Sequence, residues 1–205
     1  MKIIYLILTG LLFLNSNEYQ DRNWKLRKEE DGIIIYTRNV PGSSFDEFKA
    51  IVLISNTSLE DVLGIILDAN NYPMLIADCS EAKILMQKGK YYDIHYLRIR
   101  APWPIKDRDA IYESTTTILN GGKLAHVSLL PRGNYLNEKE NLVRMHNGVG
   151  YWELEEVEKK SIKIIYQFQS NPDGLIPAWL SNRVIVANPF KTLQNLKKRV
   201  AEIVH

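Results

Sequence analysis

The chain has 205 residues, of which 45% are hydrophobic and 24% are charged. This is the composition of a globular protein, and it excludes a disordered chain. The 26 lysines and arginines nearly balance the 24 aspartates and glutamates, and the resulting net charge of +2 argues against the basic surface of a nucleic-acid-binding protein. The single cysteine, Cys79, excludes an intramolecular disulfide, a cysteine-based zinc site and an iron–sulfur cluster within one chain.

Residues 1–17 have the pattern of a secretory signal peptide. Lys2 gives a positive start, residues 3–14 are apolar except for Thr9 and Gly10, and the next three residues are polar. This apolar run is shorter than the roughly 20 residues that a membrane-spanning helix needs. We therefore expect export to a periplasmic or extracellular location with removal of residues 1–17, and one domain over residues 20–205. An uncleaved anchor and a buried strand are the alternatives for this run.

The first part of the domain predicts a β-hairpin, a further strand and a capped helix. Asp31-Gly32 is a typical hairpin turn between two β-rich segments, and residues 48–54 form a third such segment. Ser58 is placed to cap a helix whose first turn is acidic. The turn-forming residues that end at Pro73 are expected to terminate this helix.

Six β-rich segments then alternate with turn signals, which predicts an antiparallel meander. They cover residues 82–86, 91–100, 109–119, 123–130, 148–157 and 162–169. The last part of the chain returns to a helical pattern, with Pro177 in a first turn and Pro189 as an expected kink. Its apolar stripe contains Leu180, Val184, Leu193, Leu196, Val200 and Ile203.

One long antiparallel sheet followed by an amphipathic helix is an α+β architecture. We expect the final helix to cover the concave face of the sheet, because no other predicted segment is placed to do so. Alternation puts Tyr166 and Phe168 on one side of the last strand, and Trp152 belongs to a similar apolar side of the preceding strand. The covered face is therefore predicted to be apolar and aromatic.

A succession of motifs runs through nearly the whole predicted domain. They are Trp24-Lys25-Leu26, Asp31-Gly32-Ile33, Tyr36-Thr37-Arg38, residues 68–73, Pro102-Trp103-Pro104-Ile105, Asp107-Arg108-Asp109 and residues 172–180. In this order and spacing, over about 180 residues, they resemble the StAR-related lipid transfer (START) family. The resemblance implies a helix-grip (START/Bet v 1-like) fold, in which a curved antiparallel sheet wraps around a long C-terminal helix and encloses a hydrophobic cavity. It also implies binding and carriage of a lipid or sterol-like ligand without transforming it.

The candidate ligand-binding residues are expected on the concave face and on the final helix. If the side of the strand that carries His95 and Ile99 is concave, His95 is placed to meet a ligand hydroxyl or headgroup, because a buried polar group needs a partner. A histidine satisfied within the core, or exposed, is the alternative. On the next strand, Tyr112 and Ser114 share one face and would supply hydroxyl groups to the ligand. The opposite face of that strand, which carries Ile111, is then the solvent side. The full set is His95, Tyr112, Ser114, Trp152, Tyr166, Phe168, Trp179 and Val184.

Other chemically distinctive residues receive structural interpretations. Arg108 and Asp109, beside Asp107, are expected to pair structurally at the entrance of their strand. Trp103, between two prolines, is either a loop anchor packed on the core or part of a tunnel mouth. Cys79 is expected to be an unreactive thiol, since no histidine lies at a spacing that suggests an activated nucleophile.

Three interpretations of the function remain after metal and nucleotide sites are considered. No metal or cofactor is predicted, because the four histidines are scattered and no glycine loop precedes a helix. A non-enzymatic carrier or sensor of an apolar ligand is the leading interpretation. A cyclase/aromatase-like enzyme on the same scaffold, which would use His95, Tyr112 and Arg100, is the alternative, and an interaction module with a filled cavity is a third.

The expected partners follow from the carrier interpretation. We expect a monomer that binds a lipid or sterol-like ligand, has no nucleic-acid partner and touches a membrane surface transiently. The final helix would act as a lid and would face the membrane with a basic side that contains Lys191, Lys197, Lys198 and Arg199.

Overall fold

The structure is a computed structural model that describes residues 23–43, 45–171, 180 and 183–204. The predicted signal peptide at residues 1–17 and the predicted helix start at Pro177 lie outside these residues. The strands are β1 (Lys25–Glu30), β2 (Ile33–Arg38), β3 (Glu47–Ser55), β4 (Cys79–Gln87), β5 (Tyr92–Ile99), β6 (Arg108–Leu119), β7 (Leu124–Pro131), β8 (Val143–Met145), β9 (Asn147–Glu158) and β10 (Ser161–Asn171). The helices are α1 (Leu59–Leu67), α2 (Tyr72–Leu75) and α3 (Asn188–Val204), and a π-helical turn over Arg183–Ala187 leads into α3.

The strands form a single sheet in the order β1-β2-β3-β10-β9-β7-β6-β5-β4. Neighbours along this order are antiparallel, and β8 pairs with β6 in parallel from outside it. The predicted meander is present in β4 to β7 and in the β9–β10 hairpin. The pairing of β3 with β10 joins the first three strands to this meander. The α+β class, with a large antiparallel sheet and a C-terminal helix, is confirmed.

Local sequence signals explain the ends of the first elements. Asp31 has φ 54° and Gly32 has φ 72°, so the turn uses the left-handed backbone that matches the twist of a two-residue hairpin. Ser58 caps α1 in a capping box with Asp61, as predicted. The expectation that the turn residues ending at Pro73 terminate α1 is wrong. This helix ends at Leu67, and the proline lies in the first turn of α2. Proline is tolerated there because backbone N–H groups in the first turn of a helix have no hydrogen-bond acceptor within the helix.

The helices α1, α2 and α3 pack on one face of the sheet, which we call the inner face. Trp152 and Ile164 of the sheet, Ile66 of α1 and Leu196 of α3 belong to one buried apolar cluster. The prediction that the last helix alone covers this face is therefore wrong. The predicted stripe of α3 is buried at Leu193, Leu196 and Val200, whereas Ile203 is half exposed.

Side-chain hydrogen bonds tie α3 to the segment between α2 and β4. The backbone N–H of Ala77 donates to Thr192 Oγ1 over 3.1 Å, and Asn195 Nδ2 donates to the carbonyl oxygen of Leu75 over 3.1 Å. The π-helical turn runs directly into α3, whose second residue is Pro189, and the kink expected at this proline stays a prediction. Within the described residues, no helix is both long enough and apolar enough to span a membrane.

The opposite, outer face of the sheet also contains buried side chains. Ile94, Tyr96 and Ile111 form a second apolar cluster there, so the parity of Ile111 is not the solvent side at this position. Asp109 on the same face receives two hydrogen bonds from Arg144, from Nε over 2.8 Å and from Nη2 over 2.9 Å.

The predicted pairing between Arg108 and Asp109 is therefore wrong. Adjacent residues of a strand point to opposite faces, so Arg108 lies on the inner face and Asp109 on the outer one. Asp107 is engaged separately, because its carboxylate accepts hydrogen bonds from Arg98 Nε and Nη2 over 2.9 and 2.6 Å.

We predict that Asp109→Asn destabilises the fold, because Arg144 is only 1% exposed and would keep its charge without a counter-ion. Removing one partner of such a buried pair costs about 3–5 kcal/mol of the free energy of unfolding. Urea denaturation measures this loss. Glu60→Gln is the matched control, because Glu60 pairs with Lys90 in solvent and lies in the first turn of α1, so its removal should lower the urea midpoint far less. Equal midpoints for the two variants would contradict the prediction.

Candidate functional site

A cavity lies between the inner face of the sheet, the segment after α2 and the start of α3. Its unfilled space measures about 1240 Å³ when the open mouth is included. The lining is mostly apolar. A cavity of this kind, with a few polar groups among apolar walls, is the usual form of a small-molecule site.

Aromatic side chains from three adjacent strands form one wall. Tyr166 stacks on Trp152 with ring centroids 3.9 Å apart and an interplanar angle of 3°, and Phe48 meets Tyr166 edge to face at 5.1 Å. Phe168 continues the wall and meets Tyr112 edge to face at 5.6 Å. These pairs follow from register, since Tyr166 lies opposite Trp152 and Phe168 lies opposite Phe48.

Two glycines allow the Phe168 ring to lie flat on the sheet. A Cβ atom at Gly150 would lie 2.1 Å from Phe168 Cδ2 and 2.5 Å from the carbonyl oxygen of Gln167. A Cβ atom at Gly148 would lie 2.7 Å from the Tyr112 hydroxyl and 3.2 Å from Phe168 Cζ. The Gly-Val-Gly sequence of β9 therefore serves the packing of the aromatic wall.

A polar pair sits at the inner end of the cavity. His95 is 1% exposed, and its Nδ1 lies 2.6 Å from Oδ1 of Asp93, which is also buried. The edge of Tyr72 packs on the His95 ring with centroids 5.2 Å apart, and the Tyr72 hydroxyl donates to the carbonyl oxygen of Ile66. His95 also lies directly opposite Tyr112 in the sheet.

The tyrosines of the cavity are neutral hydroxyl groups. Burial raises the pKa of Tyr112 and of Tyr166 well above the ordinary value for a phenol. Burial, followed by the charge of Asp93, raises the pKa of Tyr72 in the same direction. These side chains can share hydrogen bonds with a ligand hydroxyl, but ionising one of them as a base is strongly disfavoured.

The other end of the cavity is its mouth. Arg100 lines the cavity and is exposed, and Asp46, Asp78 and Arg108 line the same end. Trp103, three residues beyond Arg100, is 92% exposed, so the interpretation of this side chain as an anchor packed on the core is wrong.

Five of the eight predicted site residues line the cavity: His95, Tyr112, Trp152, Tyr166 and Phe168. Ser114 is buried on the same face of β6 but is not part of the lining. Trp179 and the side chain of Val184 lie outside the described residues.

Sequence reasoning missed several lining residues, among them Phe48, Tyr72, Arg108 and Thr192. Phe48 belongs to the β-rich segment predicted at residues 48–54, and strand alternation within that segment could have placed its side chain on the inner face. Cys79 is buried among core residues, and burial raises the pKa of its thiol to about 11, which fits the predicted unreactive thiol.

A sheet that packs its helices on one face and keeps a partly open apolar cavity there is the framework of an internal-cavity binding protein. The crystal structure of a STAR-related lipid transfer protein fragment from Xanthomonas axonopodis has this fold with a TM-score of 0.79. Its sequence is 31% identical, and the match covers 87% of this chain and 99% of that one. The chain belongs to the STAR-related lipid transfer (START) family.

Two curated proteins resemble the chain over most of its length. An uncharacterized protein of Pseudomonas aeruginosa is 29% identical over 192 residues, which are 93% of each chain. Human phosphatidylcholine transfer protein is 24% identical over 166 residues, which are 78% of this chain and 75% of that protein. No protein-family model matches the chain.

We predict that Gly150→Ala destabilises the protein by about 1–3 kcal/mol, the usual cost of inserting a methyl group into a well-packed core. Because the new Cβ meets both Phe168 and the Gln167 backbone, the ring is displaced toward the cavity and binding of an apolar fluorescent probe weakens. Urea denaturation and probe titration measure the two effects.

Gly64→Ala is the matched control for this variant. Gly64 is exposed in α1, and a Cβ atom there would meet nothing within 4 Å, so stability should stay the same or rise by up to about 1 kcal/mol. If Gly150→Ala were as stable as Gly64→Ala, the packing account of the aromatic wall would be refuted.

Proposed function

We propose that this protein binds one largely apolar ligand, a lipid or a sterol-like molecule, in the inner-face cavity and carries or senses it without changing it chemically. The observation that carries the proposal is the partly open apolar cavity with its aromatic wall. Lipid transfer is also what the names of two relatives state: one is a STAR-related lipid transfer protein and another a phosphatidylcholine transfer protein.

The Asp93–His95 pair is the feature that a cyclase-like alternative would use. A histidine whose Nδ1 contacts a carboxylate resembles the orienting half of an acid–base pair. The tyrosines near it are held neutral by burial, and the rest of the inner end is apolar. We favour a binding role for this pair, in which the imidazole meets a ligand hydroxyl or carbonyl group.

We predict that protein purified from its own host carries a lipid-sized molecule, detected by native mass spectrometry, at about one per chain. A fluorescent sterol or fatty-acyl probe should saturate at the same stoichiometry in the presence of a chelator. Incubated lipid should be recovered unchanged. A metal requirement for binding, a cavity that takes up no lipid or sterol, or conversion of the bound molecule would each contradict the proposal.

We also propose that the protein touches a membrane transiently at the cavity mouth. An indole side chain exposed beside an apolar opening is chemically suited to the headgroup region of a bilayer, where tryptophan is enriched. Arg100 and Lys106 on the same loop are exposed cations that anionic lipid would attract.

The basic side of α3 has fewer cations available for a membrane than the sequence suggested. Lys197 Nζ donates to the carbonyl oxygen of Asp31 over 2.6 Å, and Arg199 pairs with Glu202 over 2.8 Å. Lys191 and Lys198 are exposed, and Lys198 Nζ also lies 4.0 Å from a carboxylate oxygen of Glu202. The Trp103 loop is therefore the stronger candidate for the first contact.

We predict that Trp103→Ala slows ligand transfer from anionic vesicles and weakens vesicle binding by about tenfold, because one interfacial indole is lost. Its affinity for a soluble probe should be unchanged, since Trp103 does not line the cavity. Leu53→Ala, which removes a side chain that is 55% exposed on β3, is the control. Unaltered transfer and vesicle binding by Trp103→Ala would rule out contact through this loop.

The signal peptide predicted for residues 1–17 would place this carriage outside the cytoplasm. We propose that the protein acts in the periplasm or outside the cell after export. N-terminal sequencing of protein from the native host tests this, and an intact Met1 in a cytosolic fraction would overturn it.

A further inference from the structure

Arg108 is a buried cation of the cavity that has no ion-pair partner among the described residues. It is 6% exposed and lines the cavity from the first position of β6. Its Nη1 donates to the carbonyl oxygen of Lys106 over 2.5 Å, whereas the buried Nε has no hydrogen-bond partner among the described residues. Burial lowers the pKa of Arg108 from the ordinary guanidinium value, and the charge of Asp107 offsets this only in part.

The acids nearest in sequence are engaged elsewhere. The Asp107 carboxylate accepts hydrogen bonds from Arg98 and, over 2.9 Å, from the backbone N–H of Ala101. Asp109 faces the outer side of the sheet, where Arg144 binds both of its oxygens. Within the part of the chain that the structure describes, no carboxylate forms an ion pair with Arg108.

Arg144 shows what a satisfied buried arginine looks like in this fold. Besides its two bonds to Asp109, it donates to the carbonyl oxygens of Gly133 and Leu136 over 2.6 and 2.9 Å. Arg108 has one carbonyl contact and an unused Nε–H. A guanidinium offers parallel N–H donors that suit the two oxygens of a carboxylate or phosphate, so the unused edge fits an anion.

The position of Arg108 would orient an anionic ligand in the cavity, with its charged group toward the mouth. Arg108 lies opposite Ile99 near the mouth, and Tyr112 lies opposite His95 four residues further in, about 13 Å along the strand. Arg100 adds a second cation at the mouth, while Asp46 and Asp78 are the acids that line the same cavity. An anion at Arg108 would leave an apolar chain against the aromatic wall.

We propose that Arg108 binds the anionic headgroup, a carboxylate or a phosphate, of an amphiphilic ligand whose apolar chain fills the inner-face cavity. This inference rests on the proposed function and narrows it, because a neutral lipid or a sterol would leave the guanidinium without an anion. The ligand anion takes the place of a counter-ion that the described residues do not supply.

Three chain-matched probes test the proposal: hexadecanoate, hexadecyl phosphate and hexadecan-1-ol. Wild-type protein freed of lipid should bind at least one anion about 10- to 100-fold more tightly than the alcohol, the range expected for a hydrogen bond to a charged group. The anion that binds more tightly distinguishes a fatty-acid headgroup from a phosphate headgroup. Titration calorimetry or probe displacement measures the three affinities.

Arg108→Met should lose this preference while its affinity for hexadecan-1-ol stays within about threefold of the wild type. Arg132→Met is the matched control, because Arg132 is half exposed, pairs with Glu113 and does not line the cavity. Arg132→Met should keep the preference. Without ligand, Arg108→Met should unfold at a urea concentration no lower than the wild type, because an unpaired buried charge has been removed.

The outcomes separate this proposal from the proposed function. Wild-type protein that binds the alcohol as tightly as both anions would refute the role of Arg108 and leave apolar carriage intact. Protein that binds none of the three probes would count against carriage of such ligands as a whole. Failure of Arg108→Met to fold, or an equal loss of affinity for alcohol and anions, would show that Arg108 is structural and would also overturn the proposal.

Discussion

The pairing of β10 with both β3 and β9 is the constraint on which the rest of the structure depends. Residues 161–168 of β10 lie opposite Ser55–Phe48 on one side and face β9 on the other. This strand joins the first three strands to the meander, so the ten strands form one sheet. It also carries Tyr166 and Phe168, and the pairing therefore places the rings of three strands in one wall.

Strand alternation then distributes charge between the two faces of the sheet. At the start of β6, three consecutive charged residues have three different environments. Asp107 fastens the mouth loop through Arg98, Arg108 enters the cavity, and Asp109 forms a buried pair on the outer face. The geometry of a single strand thus produces both a structural ion pair on one face and, in the cavity on the other face, a cation with no ion-pair partner among the described residues.

Local elements could be predicted from the sequence, because their signals lie within a few residues of one another. The Asp31-Gly32 turn, the Ser58 cap and the strands of the meander fall where local patterns put them, within a few residues at their ends. The pairing of β3 with β10 is not encoded by a local pattern, since the partners are more than a hundred residues apart. The parallel β8 has three residues with an arginine at its centre, which is too short and too polar for recognition.

Part of the candidate site could also be predicted from alternation alone. Alternation assigned Tyr166 to the covered face and left open which face His95 and Tyr112 share, and the structure brings all three into one cavity. Parity could not show that Arg108 has no ion-pair partner among the described residues, because this depends on where Arg98 and Arg144 reach across the fold. It also could not show that Trp103 points into solvent, since an indole between prolines fits a packed loop equally well.

The hydrogen bonds between α3 and the segment after α2 bear on how a ligand enters. Lifting α3 from the sheet would strip the Ala77 N–H of its Thr192 acceptor and expose Leu193 and Leu196, both of which are fully buried. That movement would cost free energy, because it would break packing along several turns of the helix. A movement of the exposed loop around Trp103 would expose little buried surface. We therefore expect α3 to remain a fixed wall of the cavity instead of moving as a lid, and we expect a ligand to enter through the loops at the cavity mouth.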